Sequence, residues 1–306
     1  MLSVTVIGGY LGSGKTTLVN HMLRNANGKR LAVLVNEFGA LPIDEDLIEA
    51  QDDDIIAIAG GCVCCSYGND LIQALMDLAK LDPAPDHVLL EASGIALPGA
   101  IAASLSLLRG YQLDGVVVLV DGETVRGQAA DPYIGDTIER QLADADIVLL
   151  NKTDLITAQQ LAQTEAWLQT MAPSAALIRS QQSAVSNALI LQSFEPDPSL
   201  LARPGDHAAG QFESQFIATD TPVHPERLAK ALSDPSLALV RAKGFVNSET
   251  GPHTLQVVGR RWEVTSAPQN ATPGIVVITV RGQLDMTRIN TAVESARVRV
   301  PAQSTT

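Results

Sequence analysis

Basic residues are scarce in this sequence. The chain carries 21 Lys and Arg against 34 Asp and Glu, a formal charge of -13, and the cations never gather into a run. Such a surface repels a phosphate backbone, which argues against a nucleic-acid partner. Aromatic residues make up only 4%, so a core has to be assembled from Leu, Ile, Val and Ala. No apolar stretch approaches the roughly 18 residues of a membrane span. The best candidate, Asp114 to Asp121, is short and bounded by charge. The opening MLSVTVIGG has no basic n-region and runs directly into glycines, so it reads as a first strand and not as a signal peptide. The expectation is a soluble, cytoplasmic protein with no membrane partner. Only three cysteines occur, Cys62, Cys64 and Cys65. Crowded together, they cannot staple distant parts of a fold; a disulfide framework is excluded and a metal or redox role becomes the question.

What is present is a regular alternation. Short β-branched or apolar runs lie at Ser3 to Ile7, Leu31 to Val35, Ile55 to Ala59, His87 to Leu90, Val116 to Val120, Ile147 to Leu150 and Ala175 to Ile178. Helical patterns fall between most of them, at about Lys15 to Asn25, Asn69 to Lys80, Pro98 to Leu108, Ile138 to Ala143 and Ala158 to Met171. Continuously apolar strands separated by helices indicate a largely parallel sheet covered on both faces, an α/β domain over 1–194. The stretch 195–211 contains Pro196, Pro198, Pro204, Gly205 and Gly210 and reads as a linker. Over 212–300 the pattern changes to a smaller α+β domain. Its strands are expected at Phe212 to Ile217, Leu237 to Lys243, Thr254 to Gly259, Arg261 to Thr265 and Gly274 to Val280, with helices near Pro225 to Leu232 and Leu284 to Ala296. Residues 301–306 form a tail.

The segment Gly9-Tyr10-Leu11-Gly12-Ser13-Gly14-Lys15-Thr16-Thr17 satisfies the pattern G-x-x-x-x-G-K-[ST] in its required setting, after a strand and before a helix. Glycines permit positive φ and close approach, so consecutive N–H groups can turn toward phosphates, and the helix adds its N-terminal partial charge. Lys15 is expected to reach the β and γ phosphates and Thr16 to offer a hydroxyl to Mg²⁺. Thr17 reads as a helix residue or a further contact, and His21, in the same helix, as structural. The pattern is not G-x-G-x-x-G, so a dinucleotide is disfavoured.

Asn151-Lys152-Thr153-Asp154 follows the run at 147–150, at a strand's carboxyl end, where open α/β sheets bind ligands. Guanine presents N1–H and N2–H₂ on one edge, and an ionised Asp154 accepts both. Adenine has no such donor pair there, and the wrong base leaves a group unpaired. Asn151 is expected to brace the phosphate loop and the Lys152 stem to lie over the ring. The base-contacting turn after the next strand is poorly marked, with Ser180 as the candidate.

Glu91 closes the run at 87–90 before Ala92-Ser93-Gly94. A carboxylate there can hold Mg²⁺ through water or orient attacking water, and Gly94 allows backbone approach to the γ phosphate. The alternative is an ordinary strand-end carboxylate. Glu37, in Asn36-Glu37-Phe38-Gly39, has the choice of the nucleotide's Mg²⁺ or a separate transition metal, with Gly39 as a hinge. Asp121 reads more readily as a surface turn or helix cap, and Arg126 and Arg140 as surface ion pairs rather than an internal arginine finger. Gly60-Gly61-Cys62-Val63-Cys64-Cys65 puts three soft ligands beside glycines. Thiolates favour Zn²⁺ or Cu(I), and a tetrahedral site then needs a fourth ligand from Glu37, a histidine, water or a client protein. Buried inert thiols and a dithiol switch are the alternatives. An incomplete site suits exchange better than permanent folding support.

Taken in order, G-G-Y-L-G-S-G-K-T-T, N-E-F-G at 36–39, G-G-C-V-C-C at 60–65, E-A-S-G at 91–94 and N-K-T-D at 151–154 resemble the CobW-like family of P-loop GTPases. Arg241-Ala242-Lys243-Gly244-Phe245 looks like a strand of that family's C-terminal domain, so the resemblance covers nearly the whole chain. The family includes zinc metallochaperones, the cobalamin-biosynthesis protein CobW and activators of nitrile hydratase. The resemblance implies slow GTP hydrolysis with Mg²⁺, coupled to Zn²⁺ (or Co²⁺, Ni²⁺ or Fe²⁺) at Cys62, Cys64 and Cys65 and to a client metalloprotein. It puts Glu37 near the metal and Glu91 in the Walker B-like place. Two departures stand out: Ala40 replaces a glutamate common after N-E-F-G, and His207, His224 and His253 are scattered where many relatives carry a histidine-rich tract. A single-site role survives these, whereas high-capacity storage does not. Two rival readings are a GTPase timer for assembly of a partner enzyme, with structural cysteines, and an ATP-dependent small-molecule kinase, which Asp154 disfavours. The C-terminal sheet is a candidate for client recognition or homo-oligomer formation.

Overall fold

The structure, a computed structural model, describes residues 1–26, 28–36, 55–60, 69–191, 212–219 and 221–298. Glu37, Gly39, Ala40, Cys62, Cys64, Cys65, His207 and the whole of the expected linker, 195–211, lie outside the described residues. The chain divides into two compact units, Met1–Ser193 and Phe194–Thr306.

The first unit is a seven-stranded parallel sheet. Its strands are β1 (Leu2–Gly8), β2 (Leu31–Asn36), β3 (Ile55–Gly60), β4 (His87–Glu91), β5 (Tyr111–Asp121), β6 (Ile147–Asn151) and β7 (Ala176–Arg179), in spatial order β3-β2-β4-β1-β5-β6-β7. The helices are α1 (Lys15–Arg24), α2 (Asn69–Leu78), α3 (Pro98–Leu105), α4 (Val125–Ala129), α5 (Gly135–Ala143), α6 (Ala158–Met171) and α7 (Asn187–Ile190). Every residue of β4 and β6 is buried, as expected of strands covered on both faces. Val4, Val6, Leu34, Val88, Leu90 and Val118 share one core with Leu75, Ile101, Ile138 and Leu168 of the helices on that side. The alternate residues Ile7, Leu89, Val117 and Leu119 are equally buried, as are Leu18 and Met22 of α1. β1 is central, between β4 and β5, so its carboxyl end is flanked by those of both neighbours: Ile7 pairs with Glu91, and Gly8 with Val118.

Two departures from the sequence pattern have local causes. β5 starts five residues before the apolar run, because Asp114 occupies a register shift between Val4 and Thr5 and is buried beside Thr5 and His87. A buried carboxylate in a bulge hides a strand from a hydrophobicity reading. At the same end, the buried Tyr111 hydroxyl donates to the Leu75 carbonyl of α2. Burial pushes its pKa up, so the phenol stays a donor. α4 and α7 are too short to show a 3.6-residue period.

The second unit is a five-stranded antiparallel sheet of β8 (Phe212–Ile217), β9 (Leu239–Ser248), β10 (Gly251–Val258), β11 (Arg261–Ser266) and β12 (Gly274–Val280), ordered β11-β10-β9-β12-β8. Helices α8 (Pro225–Leu232) and α9 (Met286–Ser295) bury Leu228, Leu232, Ile289 and Val293 against Ala242, Val246, Leu255, Val257, Ile275 and Val277. Alternation along these strands is the period-2 signature of a sheet with its helices on one face. The α/β domain and smaller α+β domain expected from the sequence are both present.

Gly244 marks the tightest point of the second sheet, because a Cβ there would lie 1.9 Å from the Gly274 carbonyl oxygen and 2.7 Å from Ile275 Cα. Both obstacles are backbone in the centre of the sheet, where no side-chain rotation relieves the clash. Gly244→Ala should destabilise this unit by about 3 kcal/mol. A lowered unfolding midpoint in urea checks this; an unchanged midpoint contradicts it.

Candidate nucleotide-binding site

The turn from β1 into α1 is held open by three glycines in left-handed conformations, Gly9 (φ 130), Gly12 (φ 76) and Gly14 (φ 104). Two of them also lack the room for a side chain. A Cβ on Gly9 would meet the Leu119 carbonyl oxygen at 2.3 Å, and one on Gly14 would meet Asn151 Nδ2 at 2.5 Å and Ser183 Oγ at 2.6 Å. Gly14 is the N-cap of α1 and supplies no side-chain acceptor, and the first turn carries no acidic residue. The helix therefore offers its first N–H groups and its positive end to an external anion.

Around this cradle stand the groups named from the sequence. Lys15 is 8% exposed despite its charge. Thr16 Oγ1 donates to Glu91 Oε1 at 2.9 Å, joining the first turn of α1 to the end of β4. Thr17, one residue further along the helix, is exposed. Gly94 packs against the phosphate loop: a Cβ there would lie 2.9 Å from the Leu11 nitrogen, in addition to its side chain. Gln141 of α5 fixes the same turn by donating to the carbonyls of Gly94 and Ala96, at 3.1 and 2.8 Å.

On the other side, at the end of β6, Asn151 uses its whole amide. Nδ2 donates to the Ser13 carbonyl at 2.9 Å and to Ser183 Oγ at 2.8 Å, while Oδ1 accepts the Ser183 N–H at 2.8 Å. Ser183 Oγ in turn donates to the Gly14 carbonyl at 2.9 Å. Two loop carbonyls are thereby held on the side of the β6 and β7 turns, while the Ser13 N–H closes the loop on the Tyr10 carbonyl at 3.2 Å. Lys152 takes a left-handed conformation (φ 58) and its Nζ lies 2.7 Å from Asp121 Oδ2. Asp154 sits exposed in a 3-10 turn, Thr153–Leu155.

Ser183, which no sequence motif marks, completes this brace, and the candidate base contact Ser180 lies in the same turn. The Ser180 hydroxyl donates to the Ala184 carbonyl, and its own carbonyl accepts from Thr153, so Ser180 shapes the turn from within. Gln182 and Ser183 are consecutive left-handed residues, a backbone signature without a side-chain motif. Beyond them the same segment runs along α1: His21 Nε2 meets the Val185 carbonyl at 3.0 Å, and Asn187 Nδ2 donates to the Met22 and Asn25 carbonyls at the helix's end. His21 is structural. Asp121, read as a surface turn or cap, is 8% exposed and paired to Lys152. Arg126 Nη1 donates to Gln163, and Arg140 pairs with Asp136 within its own helix.

A turn bent by three positive-φ glycines and a helix start with neither a side-chain cap nor an acidic residue in its first turn favour negative charge from a ligand, which nucleotide phosphates provide. The unit is a P-loop NTPase domain. Residues 3–179 match the CobW/HypB/UreG nucleotide-binding domain, and residues 212–297 the C-terminal domain of the cobalamin synthesis protein CobW. The chain belongs to the CobW/HypB/UreG family of P-loop GTPases. It is 37% identical over 188 residues to a zinc chaperone CobW of Sinorhizobium sp., covering 52% of this chain and 53% of that protein. It is 30% identical over 299 residues to a zinc-regulated GTPase metalloprotein activator 1 of Dictyostelium discoideum, covering 80% of this chain and 62% of the relative. The chain thus spans between about half and three fifths of the length of these relatives. The crystal structure of the Zn(II)-bound YjiA GTPase from E. coli aligns with 97% of this chain and 99% of its own at 22% identity, with a TM-score of 0.44.

Ser183→Ala removes the hydroxyl that both accepts from Asn151 and donates to Gly14. Since the site is fully buried, at 0% exposure, the loss should destabilise the first unit by about 1–3 kcal/mol. Urea unfolding of the ligand-free protein tests this, and an unchanged midpoint would show that the hydroxyl carries no structural weight.

Proposed function

We propose that the protein is a GTP-hydrolysing metallochaperone. It binds GTP through the phosphate loop and the N-K-T-D turn, takes up a transition metal, Zn²⁺ before Co²⁺, Ni²⁺ or Fe²⁺, at Cys62, Cys64 and Cys65, and couples nucleotide state to delivery of that metal to a client metalloprotein. The observation that carries the nucleotide half is the Thr16–Glu91 contact of 2.9 Å beside an uncapped helix start. The cargo half is supported by the C-x-C-C motif and by the names of the relatives, a zinc chaperone and a zinc-regulated metalloprotein activator.

The donor set fits Mg²⁺. A hydroxyl and a carboxylate are hard oxygen ligands, which suit Mg²⁺ and not a thiophilic ion. Thr16 donates its proton to Glu91 and keeps lone pairs on Oγ1 for the ion, so Glu91 also fixes the rotamer that a ligand needs. Mg²⁺, when bound, neutralises charge on the β and γ phosphates. Lys15 adds a cation to the same phosphates, and the α1 amides hold them in place. Glu91 is the group to hold Mg²⁺ through water or to orient the water that attacks the γ phosphate. Asp154 accepts the N1–H and N2–H₂ of guanine, with the Lys152 stem over the ring.

The metal is cargo and belongs to the soft thiolates. Coupling requires that nucleotide change metal affinity, and reciprocity then requires that metal change nucleotide affinity by the same factor. Glu37 and the cysteines lie in the sequence between the phosphate loop and Glu91, the stretch in which a γ-phosphate-sensitive element is sought.

The test is a titration of the reduced, metal-free protein with Zn²⁺ against a competing chelator, with Mg²⁺ and either a non-hydrolysable GTP analogue or GDP. A severalfold difference in Zn²⁺ affinity between the two, lost when Cys62, Cys64 and Cys65 become Ser, is expected. Equal affinity in both states, or Zn²⁺ binding that survives the substitutions, contradicts the coupling and favours a GTPase timer with structural cysteines.

A further inference from the structure

Asp121 ends β5 level with Asn151 at the end of its neighbour β6, and the two are paired across the parallel ladder. The Gly122 N–H donates to the Asn151 carbonyl at 2.9 Å, so the turn after β5 rides on the strand end that carries the N-K-T-D sequence. Asp121 is mostly buried and its carboxylate is committed on both oxygens. Oδ1 accepts the Glu123 N–H at 2.9 Å, and Oδ2 lies 2.7 Å from Lys152 Nζ. Lys152 reaches it from a left-handed backbone conformation, one that a residue with a Cβ adopts only when its surroundings fix it.

The ammonium of a lysine is otherwise the least fixed part of the side chain, at the end of four methylenes. Here its far end is pinned by a carboxylate that is itself pinned by a backbone amide, and its near end by the backbone turn. The methylenes between are held as a bridge from the end of β6 to the end of β5. Such a stem has already lost its rotamer freedom before any ligand arrives, so a flat base laid against it binds without having to order it.

From this geometry we infer that Asp121 is a positioning residue for the nucleotide base: it tethers Lys152 so that the lysine stem forms one preorganised wall of the base site. The inference rests on the reading of N-K-T-D as the guanine-recognising turn and adds to it a residue from a different strand. Because it acts on the base and not on the phosphates, its effect separates from that of the phosphate loop. Asp121 also lines a cavity of about 10 Å³ together with Tyr10 and Ser13 of the phosphate loop, so a merely structural role would disturb both halves of the site alike.

Three variants are compared by calorimetric titration: Asp121→Asn, which keeps the shape and the acceptor for Glu123 N–H; Lys152→Met, which keeps the stem and loses the charge; and the double variant. The probes are GDP with Mg²⁺ and inorganic tripolyphosphate with Mg²⁺. Each single variant should bind GDP about tenfold more weakly, the double variant no more weakly than Lys152→Met alone, and all three should bind tripolyphosphate as the parent does. Unchanged GDP affinity in Asp121→Asn, additive losses in the double variant, or an equal loss for tripolyphosphate would each overturn the inference. Asp154→Asn, run alongside with xanthosine diphosphate, tests the underlying reading by itself. If that variant gains no affinity for xanthosine diphosphate, guanine recognition by this turn fails, whatever the Asp121 variant does.

Discussion

The amide of Asn151 is the constraint around which the nucleotide-binding unit is organised. A phosphate cradle needs backbone amides turned toward the ligand, and the same peptide units then need somewhere to put their carbonyls. In this protein the carbonyl of Ser13 goes to Asn151 Nδ2, and that of Gly14 to Ser183 Oγ, which Asn151 itself holds. Gly14 cannot be any other residue, because the atoms that brace it occupy the space of its Cβ. The brace reaches the loop only because β6 is the second strand from β1 and ends level with Asp121 of β5, so the sheet order sets the distance that the amide spans.

Backbone conformations that cost energy gather at this point. Gly9, Gly12 and Gly14 on one side and Lys152, Gln182 and Ser183 on the other all have positive φ. Non-glycine residues enter this region at a cost, and surrounding packing has to offset it. That packing is visible: Val185, Leu189 and Ile190 are buried, and Val185 and Asn187 hydrogen-bond along α1 as far as its last turn. The segment that follows β7 is therefore a strap over the phosphate-loop helix, and it joins the turn that braces Asn151 to the far end of α1.

Much of this was legible in the sequence. Runs of Val, Ile and Leu marked the strands buried on both faces, and glycines, Lys15 and Thr16 marked the loop, because those residue types are required by backbone geometry and charge. What escaped notice lay in groups whose role comes from tertiary position alone. Ser183 has no local motif, and its contacts are with residues 32 and 169 positions away. Asp121 resembles any strand-end acid until Lys152 is found beside it. Asp114 disguised the first five residues of β5, since a buried carboxylate in a bulge reads as a loop. In the second unit, alternation was enough to reveal the strands, but β9 runs on to Ser248 through Gly244 and Asn247, residues that sequence patterns assign to turns.

A single side chain at the end of β6, Asn151, thus shapes the phosphate cradle. The most direct measurement is the affinity of Asn151→Ala for inorganic tripolyphosphate with Mg²⁺, a ligand that has no base to lose contact with. If Asn151 holds the loop carbonyls in place, affinity should fall at least tenfold, in line with a loss of two or more buried hydrogen bonds at about 1 kcal/mol each. Binding as tight as that of the parent protein would contradict the account, because the cradle would then keep its shape without the brace.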